Sequence, residues 1–144
     1  MRVHQILKTK QLDEVFTIVP GTKVSAAAEI MAAKRIGAVI ISKDGKQPEG
    51  ILSERDIVRE LGRRGTGCIT ESVESMMTSK LYHCAMDDSA DDVLQQMSDH
   101  RFRHIPVMHD GEMVGLISIG DVVKARLMEL AHENDALQGM IMGH

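Results

Sequence analysis

Apolar and polar positions in the first half of this chain form five blocks, and each block has the spacing of one secondary-structure element. Runs of β-branched residues predict strands, and apolar residues three or four positions apart predict helices. The predicted strands cover residues 15–18, 38–41 and 50–52, and the predicted helices cover residues 23–34 and 53–61. Asp44-Gly45, between the second and third strands, is a hairpin-turn signal. The pattern therefore predicts an α+β unit with the order strand, helix, strand, strand, helix.

The second half of the chain repeats this pattern. Three pairs of segments match, namely residues 44–45 with 110–111, residues 50–58 with 115–123, and residues 3–10 with 73–80. The offset between the copies falls from 70 to 66 near residues 11–14 and to 65 near Gln47, where the first copy has extra residues. Insertions between apolar blocks mark loops, so the blocks themselves are the structural elements. We therefore expect two β-α-β-β-α repeats that pack with pseudo-twofold symmetry into one module.

The two repeats divide the chain near its middle. Residues 1–70 form the first repeat with an N-terminal helix and a linker, and residues 71–144 form the second repeat with a C-terminal helix. The second repeat predicts a helix at residues 91–100, strands at residues 105–108 and 114–117, and a last helix from Ser118 past Leu130. Pro106 favours an edge position for its strand, since proline cannot donate a ladder hydrogen bond. Gly37 is expected to end the first long helix of the first repeat.

Composition and charge exclude several classes of function. The net charge of −4 argues against bulk nucleic acid as the main partner. The chain has no run of about 18 apolar residues, so no membrane span is expected. Its first residues also lack the apolar stretch of a secretory signal. We therefore expect a cytoplasmic protein in which Cys68 and Cys84 are free thiols.

Each repeat carries a glycine, two apolar residues and then Ser-x-x-Asp, at the point where a strand is followed by a helix. These polar residues are Ser53 and Asp56 in the first repeat and Ser118 and Asp121 in the second. One interpretation is structural, because serine with aspartate three positions later is a helix-capping signature. The other is functional. A helix start favours a phosphate, a hydroxyl can donate to a phosphate oxygen, and a carboxylate can accept from two ribose hydroxyls. The residues alone leave both interpretations open.

Motifs for catalysis and metal binding are missing from the sequence. Its histidines and two cysteines include no Cys-x-x-Cys spacing that would set a tetrahedral metal site. A P-loop, a Gly-x-Ser-x-Gly elbow and a Gly-x-Gly-x-x-Gly fingerprint are also absent. We therefore expect no metal and no enzymatic activity.

Two motifs in each repeat are typical of a known family. They are residues 36–39 with 50–56 in the first repeat, and residues 103–107 with 115–121 in the second. With these motifs the chain resembles, over residues 3–130, a tandem pair of cystathionine-β-synthase-type (CBS) domains, or Bateman module, of the standalone type common in bacteria. The resemblance implies two α+β repeats packed sheet to sheet, with two clefts that often hold AMP, ADP, ATP, NAD(H) or S-adenosylmethionine. It also implies a homodimer.

The resemblance assigns roles to individual residues. The candidate nucleotide-binding residues are Thr17, Ala38, Ser53, Arg55, Asp56, His83, Arg103, His104, Ile105, Pro106, Ser118 and Asp121. Within this set the two aspartates are implied to hold ribose hydroxyls and the two serines to lie at the ribose-phosphate. Thr17 and His83 are implied to border the base.

A cluster of basic residues before the second repeat's proline-bearing strand predicts that the two sites are unequal. The cluster comprises His100, Arg101, Arg103 and His104. Such a cluster is either a solvated helix end or a phosphate ligand. The resemblance favours the phosphate role, because the matching place in family members often carries a basic side chain. The first repeat has Gly37 and Ala38 there, although Lys34, Arg35 and Arg55 could compensate.

These observations predict a non-catalytic regulatory protein. We expect it to form homodimers, to bind an adenine nucleotide of the AMP, ATP or NADH type, and to sense cellular energy or redox state for an unidentified target protein. The alternative is a constitutive protein–protein interaction module whose ligand clefts are vestigial.

Overall fold

The computed structural model describes residues 1–10 and 15–141 of the chain. The loop expected near residues 11–14 and the terminal Gly143-His144 lie outside the described residues. Over the described ranges the fold contains two three-stranded sheets and five α-helices. The predicted α+β class is therefore confirmed.

The elements follow the predicted order in both repeats. In the first repeat they are α1 (Val3–Thr9), β1 (Thr17–Ile18), α2 (Val24–Lys34), β2 (Ala38–Ile41), β3 (Gly50–Ser53) and α3 (Glu54–Arg64). Short 3-10 helices follow at Thr66–Thr70 and Val73–Ser75. In the second repeat they are β4 (Cys84–Ala85), α4 (Ala90–His100), β5 (His104–His109), β6 (Glu112–Ser118) and α5 (Ile119–Ile141). None of the helices in the described part of the chain combines the length and apolar character needed to cross a membrane.

Both sheets have the same strand order. In the first sheet β2 lies in the centre, parallel to β1 with Ile40 opposite Thr17, and antiparallel to β3. In the second sheet β5 lies between β4 and β6. The edge position expected for the strand of Pro106 is therefore wrong. At the offset of 66, Pro106 corresponds to Ile40 in the central strand β2 of the first sheet. The duplicated strand order therefore outweighs the preference of proline for an edge strand.

The first long helix ends at Lys34, three residues before Gly37, so the expected glycine terminus is wrong. Arg35 adopts the left-handed conformation (φ 55°), and its N–H donates to the carbonyl oxygen of Met31. Arg101, the residue after α4, adopts the same conformation (φ 58°), and its N–H donates to the carbonyl oxygen of Met97. A left-handed non-glycine residue costs about 1–2 kcal/mol, which the capping bonds help to offset. The two repeats therefore share a helix ending that does not depend on glycine.

The described residues form two compact units, and each unit draws on both repeats. One unit contains residues 15–82 and 108–114, and the other contains residues 1–10, 83–107 and 115–141. Residues 108–114 are the tip of the β5-β6 hairpin. They join the first of these units through the N–H of Met113, which donates to the carbonyl oxygen of Lys46 at 2.8 Å.

The leading segment of each repeat, residues 3–10 in the first and 73–80 in the second, packs against the rest of the other repeat. The N–H of Val3 donates to the carbonyl oxygen of Asp88 at 2.9 Å. The equivalent bond in the other unit runs from the N–H of Val73 to the carbonyl oxygen of Thr22, at 2.8 Å. The two leading segments are therefore docked by the same backbone contact, as expected for a duplicated unit.

Two glycines at equivalent positions make room for these segments. A Cβ atom at Gly115 would lie 2.7 Å from Cδ2 of Leu7, and a Cβ atom at Gly50 would clash with the side chain of Met77. The first residue of each Gly-apolar-apolar-Ser motif is thus a packing position, where any larger side chain would displace the docked segment.

Each unit buries apolar side chains from its helices and its sheet. In one unit these include Val24, Ala27, Met31, Val39, Ile41, Leu52, Cys68 and Val73. In the other they include Val3, Ile6, Val93, Met97, Ile105, Ile117, Val122 and Ala125. Full burial of one large aliphatic side chain contributes about 1.5–3 kcal/mol. This packing fixes β3 and β6, whose last residues begin the candidate sites.

Candidate functional site

The first strand-to-helix junction joins β3 to α3 and carries Ser53 and Asp56. Ser53 caps α3 with extended backbone (φ −105°, ψ 159°). The N–H of Asp56 donates to Oγ of Ser53 at 3.2 Å, and the N–H of Ser53 donates to Oδ2 of Asp56 at 2.9 Å. These reciprocal bonds satisfy donors at the start of the helix, which is the capping role that the pattern predicts.

The second junction joins β6 to α5 and repeats this geometry. The N–H of Asp121 donates to Oγ of Ser118 at 3.1 Å, and the N–H of Ser118 donates to Oδ2 of Asp121 at 2.9 Å. The capping interpretation is thus confirmed at both junctions. The same bonds hold a hydroxyl and a carboxylate in place at a helix end of positive partial charge. Capping and ligand binding are compatible here, because each group keeps further hydrogen-bonding capacity.

The residue just before the central strand of each sheet is tied to the start of the helix by one backbone bond. The N–H of Glu54 donates to the carbonyl oxygen of Gly37 at 2.9 Å, and the N–H of Ile119 donates to that of Arg103 at 2.8 Å. The structure therefore brings Arg103 to the second junction, and it brings the uncharged Gly37 to the first.

The other sequence-predicted residues lie on neighbouring strands and on the first turn of α3. In the first repeat, Ala38 is buried opposite Ser53, Arg55 is exposed on α3, and Thr17 is half-buried on β1. In the second repeat, His83 is exposed before β4, Arg103 is exposed, His104 is half-buried, and Ile105 and Pro106 are buried in β5. Because β2 separates β1 from β3, Thr17 lies about 10 Å from the first junction, or two strand spacings. The structure therefore brings Ala38 directly to its junction, and it places Thr17 further out.

The carboxylate of the first junction is buried and paired on its own helix. The Asp56 side chain is only 11% exposed. Its Oδ1 accepts from the guanidinium of Arg59 at 3.0 Å, and its Oδ2 accepts from Ser53. Both carboxylate oxygens at this junction are therefore already engaged.

The carboxylate of the second junction is paired with a lysine from the leading segment of the first repeat. Nζ of Lys10 lies 3.0 Å from Oδ2 of Asp121, and it donates to the carbonyl oxygen of Leu116 at 2.6 Å. The two charged side chains are 28% and 25% exposed, respectively. Sequence reasoning missed Lys10. The echo between residues 3–10 and 73–80 marks its segment, but nothing in that echo indicates which carboxylate the segment reaches.

The thiol of Cys84, the residue after His83, is unreactive at neutral pH. Burial raises the pKa of Cys84 to about 12, and the charge of Asp88 adds to this effect. The thiol is therefore protonated at neutral pH, and it is the thiolate that reacts and binds metals. His100 and His104 are four positions apart, but one ends α4 and the other begins β5. Across residues 1–10 and 15–141, no three His, Cys, Asp or Glu side chains gather in a group that could hold a metal ion.

Comparison with known proteins points to one family. The CBS domain profile matches this chain twice, at residues 7–63 and 73–128. A mitochondrial CBS domain-containing protein of Arabidopsis thaliana is 36% identical over 121 residues, which make up 81% of this chain and 59% of that protein. The matched region therefore spans about three fifths of the plant relative's length.

Solved structures give the same result. A CBS-domain-containing protein from Agrobacterium tumefaciens is 36% identical, with a TM-score of 0.80 over 87% of this chain and 98% of that chain. A CBS domain pair solved in complex with 5′-methylthioadenosine and S-adenosyl-L-methionine shares the fold, with 22% identity and a TM-score of 0.77 over 90% of this chain and 98% of that one. The two matched domains and these relatives show that this chain belongs to the CBS-domain family, as a CBS pair or Bateman module.

Proposed function

We propose that this protein is a non-catalytic, cytoplasmic regulatory module that binds an adenine nucleotide of the AMP, ATP or NADH type at its two Ser-x-x-Asp junctions. In this role it reports cellular energy or redox state to a target protein. A ligand shifts a conformational equilibrium only as far as it prefers one conformation over another. The proposal therefore requires affinities that differ between nucleotides.

The observation that carries the proposal is the repeated polar geometry of the two junctions. Each serine Oγ accepts one backbone N–H, and each aspartate Oδ2 accepts another. This use leaves the serine O–H as a donor and leaves carboxylate lone pairs as acceptors. Such acceptors suit the paired hydroxyls of a ribose, and the amides at a helix start suit a phosphate.

The family and its solved structures support an adenosine-containing ligand. CBS pairs are regulatory modules and are generally non-catalytic. The pair solved with 5′-methylthioadenosine and S-adenosyl-L-methionine holds two ligands that both contain adenosine. AMP, ATP and NADH contain the same adenosine group, so the proposed ligands share the part that the junctions are suited to bind.

We expect the second junction to be the stronger site. The bonds that Asp121 makes to Ser118 and Lys10 both fall on Oδ2, whereas Asp56 uses both of its oxygens. The backbone of Arg103 is also bonded to the second junction, and a guanidinium can make charge-assisted bonds to a phosphate. Because both Asp56 oxygens already accept a hydrogen bond, we expect the first junction to be the weaker of the two sites.

Isothermal titration calorimetry tests the proposed function. Wild-type protein is titrated with AMP, ATP, NADH and adenosine. GTP is the control for recognition of the nucleobase, because it carries guanine in place of adenine. We expect saturable binding of at least one adenine nucleotide, no binding of GTP, and a preference for AMP over adenosine. The Arg103→Ala/His104→Ala double variant should lose much of this preference. Absence of binding by every adenine ligand would support the constitutive interaction module instead.

We also propose that the protein is a homodimer. Two apolar residues of the closing helices, Ile57 and Val122, are buried in their own units and are not available for a contact between chains. The next residues, Val58 and Val123, occupy equivalent positions and are 68% and 43% exposed. With Leu127, 62% exposed, they leave apolar surface on α3 and α5 for an isologous contact. Light scattering should give twice the chain mass of 15.9 kDa, and a monomer mass would overturn the dimer proposal.

A further inference from the structure

We propose that Lys10 is a specificity-determining residue of the second site, where it favours ligands with a negatively charged phosphate over uncharged adenosine. The inference rests on the proposed function and adds a cation that neither repeat motif contains. Residue 10 belongs to the leading segment of the first repeat, and the carboxylate that it contacts belongs to the second. The second site therefore draws on both repeats of the sequence.

The ammonium group of Lys10 is held in a defined position. It donates to the carbonyl oxygen of Leu116 at 2.6 Å, and it lies 3.0 Å from Oδ2 of Asp121. An ammonium has three N–H donors, so these two contacts leave one donor for a ligand oxygen. The side chain is 28% exposed, which allows a ligand to reach it.

The segment that carries Lys10 is itself firmly docked. Leu7 packs against Gly115, and a Cβ atom there would lie 2.7 Å from Cδ2 of Leu7. Gly115 precedes Leu116, whose carbonyl oxygen accepts the hydrogen bond from Lys10. The N–H of Val3 donates to the carbonyl oxygen of Asp88, just before α4. The N–H of Ala90, the first residue of α4, donates to the carbonyl oxygen of Met1. A lysine presented from a fixed backbone loses less conformational freedom when it binds an anion.

The first junction has no equivalent arrangement among the described contacts. The counterpart of Lys10 by the offset of 70 is Lys80, which is exposed. Asp56 pairs with Arg59 from its own helix at 3.0 Å. Lys80 is therefore a matched control. It is also a lysine at the same repeat position, but the ion pair of Asp56 is made with Arg59.

Charge balance explains why Lys10 should discriminate between ligands. A ribose brings no charge to the site, so its binding to Asp121 changes little at the ammonium group. A 5′-phosphate brings negative charge, and the attraction between it and the ammonium is strengthened by partial burial. Loss of the ammonium should therefore weaken AMP binding far more than adenosine binding.

The experiment compares wild type with Lys10→Met, Lys10→Arg and Lys80→Met by titration calorimetry with AMP and with adenosine. We expect Lys10→Met to lower the AMP-over-adenosine preference roughly tenfold, the size of one charge-assisted bond. The difference in this preference between wild type and Lys10→Met should become smaller as the salt concentration is raised, because salt screens the charges. Lys10→Arg should keep most of the preference, and Lys80→Met should keep all of it.

Two results would overturn this inference. One is an unchanged preference in Lys10→Met, even with a lower melting temperature, because the ion pair would then be structural only. The other is an equal gain in affinity for both ligands, because Lys10 would then merely occupy the carboxylate in the free protein. Failure of wild type to bind any adenine ligand instead overturns the proposed function, and the inference with it. A failure of the proposed function is seen in the wild-type titration itself, whereas a failure of the Lys10 inference is seen only when the variant is compared with a wild type that binds.

Discussion

Replacing Asp121 with alanine and with asparagine separates its role as a helix cap from its proposed role as a ribose ligand. Asp121→Ala removes both the bond from the Ser118 N–H and the ion pair with Lys10. Asp121→Asn keeps a side-chain oxygen that can accept from the same N–H, but it removes the negative charge. Only the alanine variant should therefore lose the reciprocal capping bond from the Ser118 N–H, and both variants keep the bond to Oγ of Ser118.

The expected stability losses follow from the contacts that each variant removes. The 2.9 Å capping bond contributes about 0.5–2 kcal/mol. The Lys10 ion pair is about a quarter exposed, so solvent screening limits its contribution to about 0.2–1 kcal/mol. Asp121→Ala should thus cost about 1–3 kcal/mol, and Asp121→Asn less than about 1 kcal/mol. At about 2–4 °C per kcal/mol for a chain of this size, the melting temperatures should fall by about 2–12 °C and by less than about 4 °C.

The expected binding losses follow a different order. Hydrogen bonds from a ribose to a charged acceptor contribute about 1.5–3 kcal/mol, so Asp121→Ala should weaken AMP binding about 10- to 150-fold. Asp121→Asn should lose most of this affinity as well, because its neutral amide offers one acceptor oxygen in place of two.

Differential scanning fluorimetry and titration calorimetry on the same preparations measure both effects. Asp121→Asn is the decisive variant, since it should remain nearly as stable as wild type and yet bind AMP at least about tenfold more weakly. Wild-type affinity in Asp121→Asn, together with reduced stability in Asp121→Ala, would show that the carboxylate is only a cap and would refute the ribose assignment.

Three further predictions concern packing, acid stability and thiol reactivity. Gly115→Val should destabilise the protein by about 1–3 kcal/mol in chemical denaturation, because its side chain would displace Leu7, and an unchanged midpoint would contradict the docked segment. The Arg64 guanidinium lowers the pKa of Glu60, mainly by a side-chain hydrogen bond, so stability should fall as the pH drops below the ordinary value of 4.5. Arg64→Met should make that fall shallower, and an identical acid limb would count against the interaction. Burial raises the pKa of Cys84 to about 12, so its alkylation by iodoacetamide at pH 8 should be slow in native protein and fast after denaturation, and rapid native modification would exclude the buried thiol.

The strand-to-helix junctions could be predicted from the sequence because their information is local. Ser53 and Asp56 are three positions apart, which is the spacing at which the side chain and backbone of a helix start reach each other. The capping bonds at both junctions follow from that spacing alone. The helices and strands likewise follow from periodicities that extend over only a few residues.

The contacts that sequence reasoning missed depend on long-range packing. Lys10 and Asp121 are 111 positions apart, and no periodicity links them. The central position of Pro106 depends on the pairing of β4 with β5, and a strand of two residues leaves almost no pattern in the sequence. Ile57 and Val122 are buried, whereas the next residues, Val58 and Val123, are exposed. Which residue of each pair faces inward depends on how its helix is rotated about its axis, and the sequence leaves this open because both residues are apolar.

Native mass spectrometry with AMP tests the central claim most directly, because it counts ligands bound per chain. Wild-type protein should bind up to two AMP molecules per chain. Asp56→Ala and Asp121→Ala should each bind at most one, with the larger loss of affinity in Asp121→Ala, and the double variant should bind none. If the double variant binds as many AMP molecules as wild type, the Ser-x-x-Asp junctions are not the nucleotide sites.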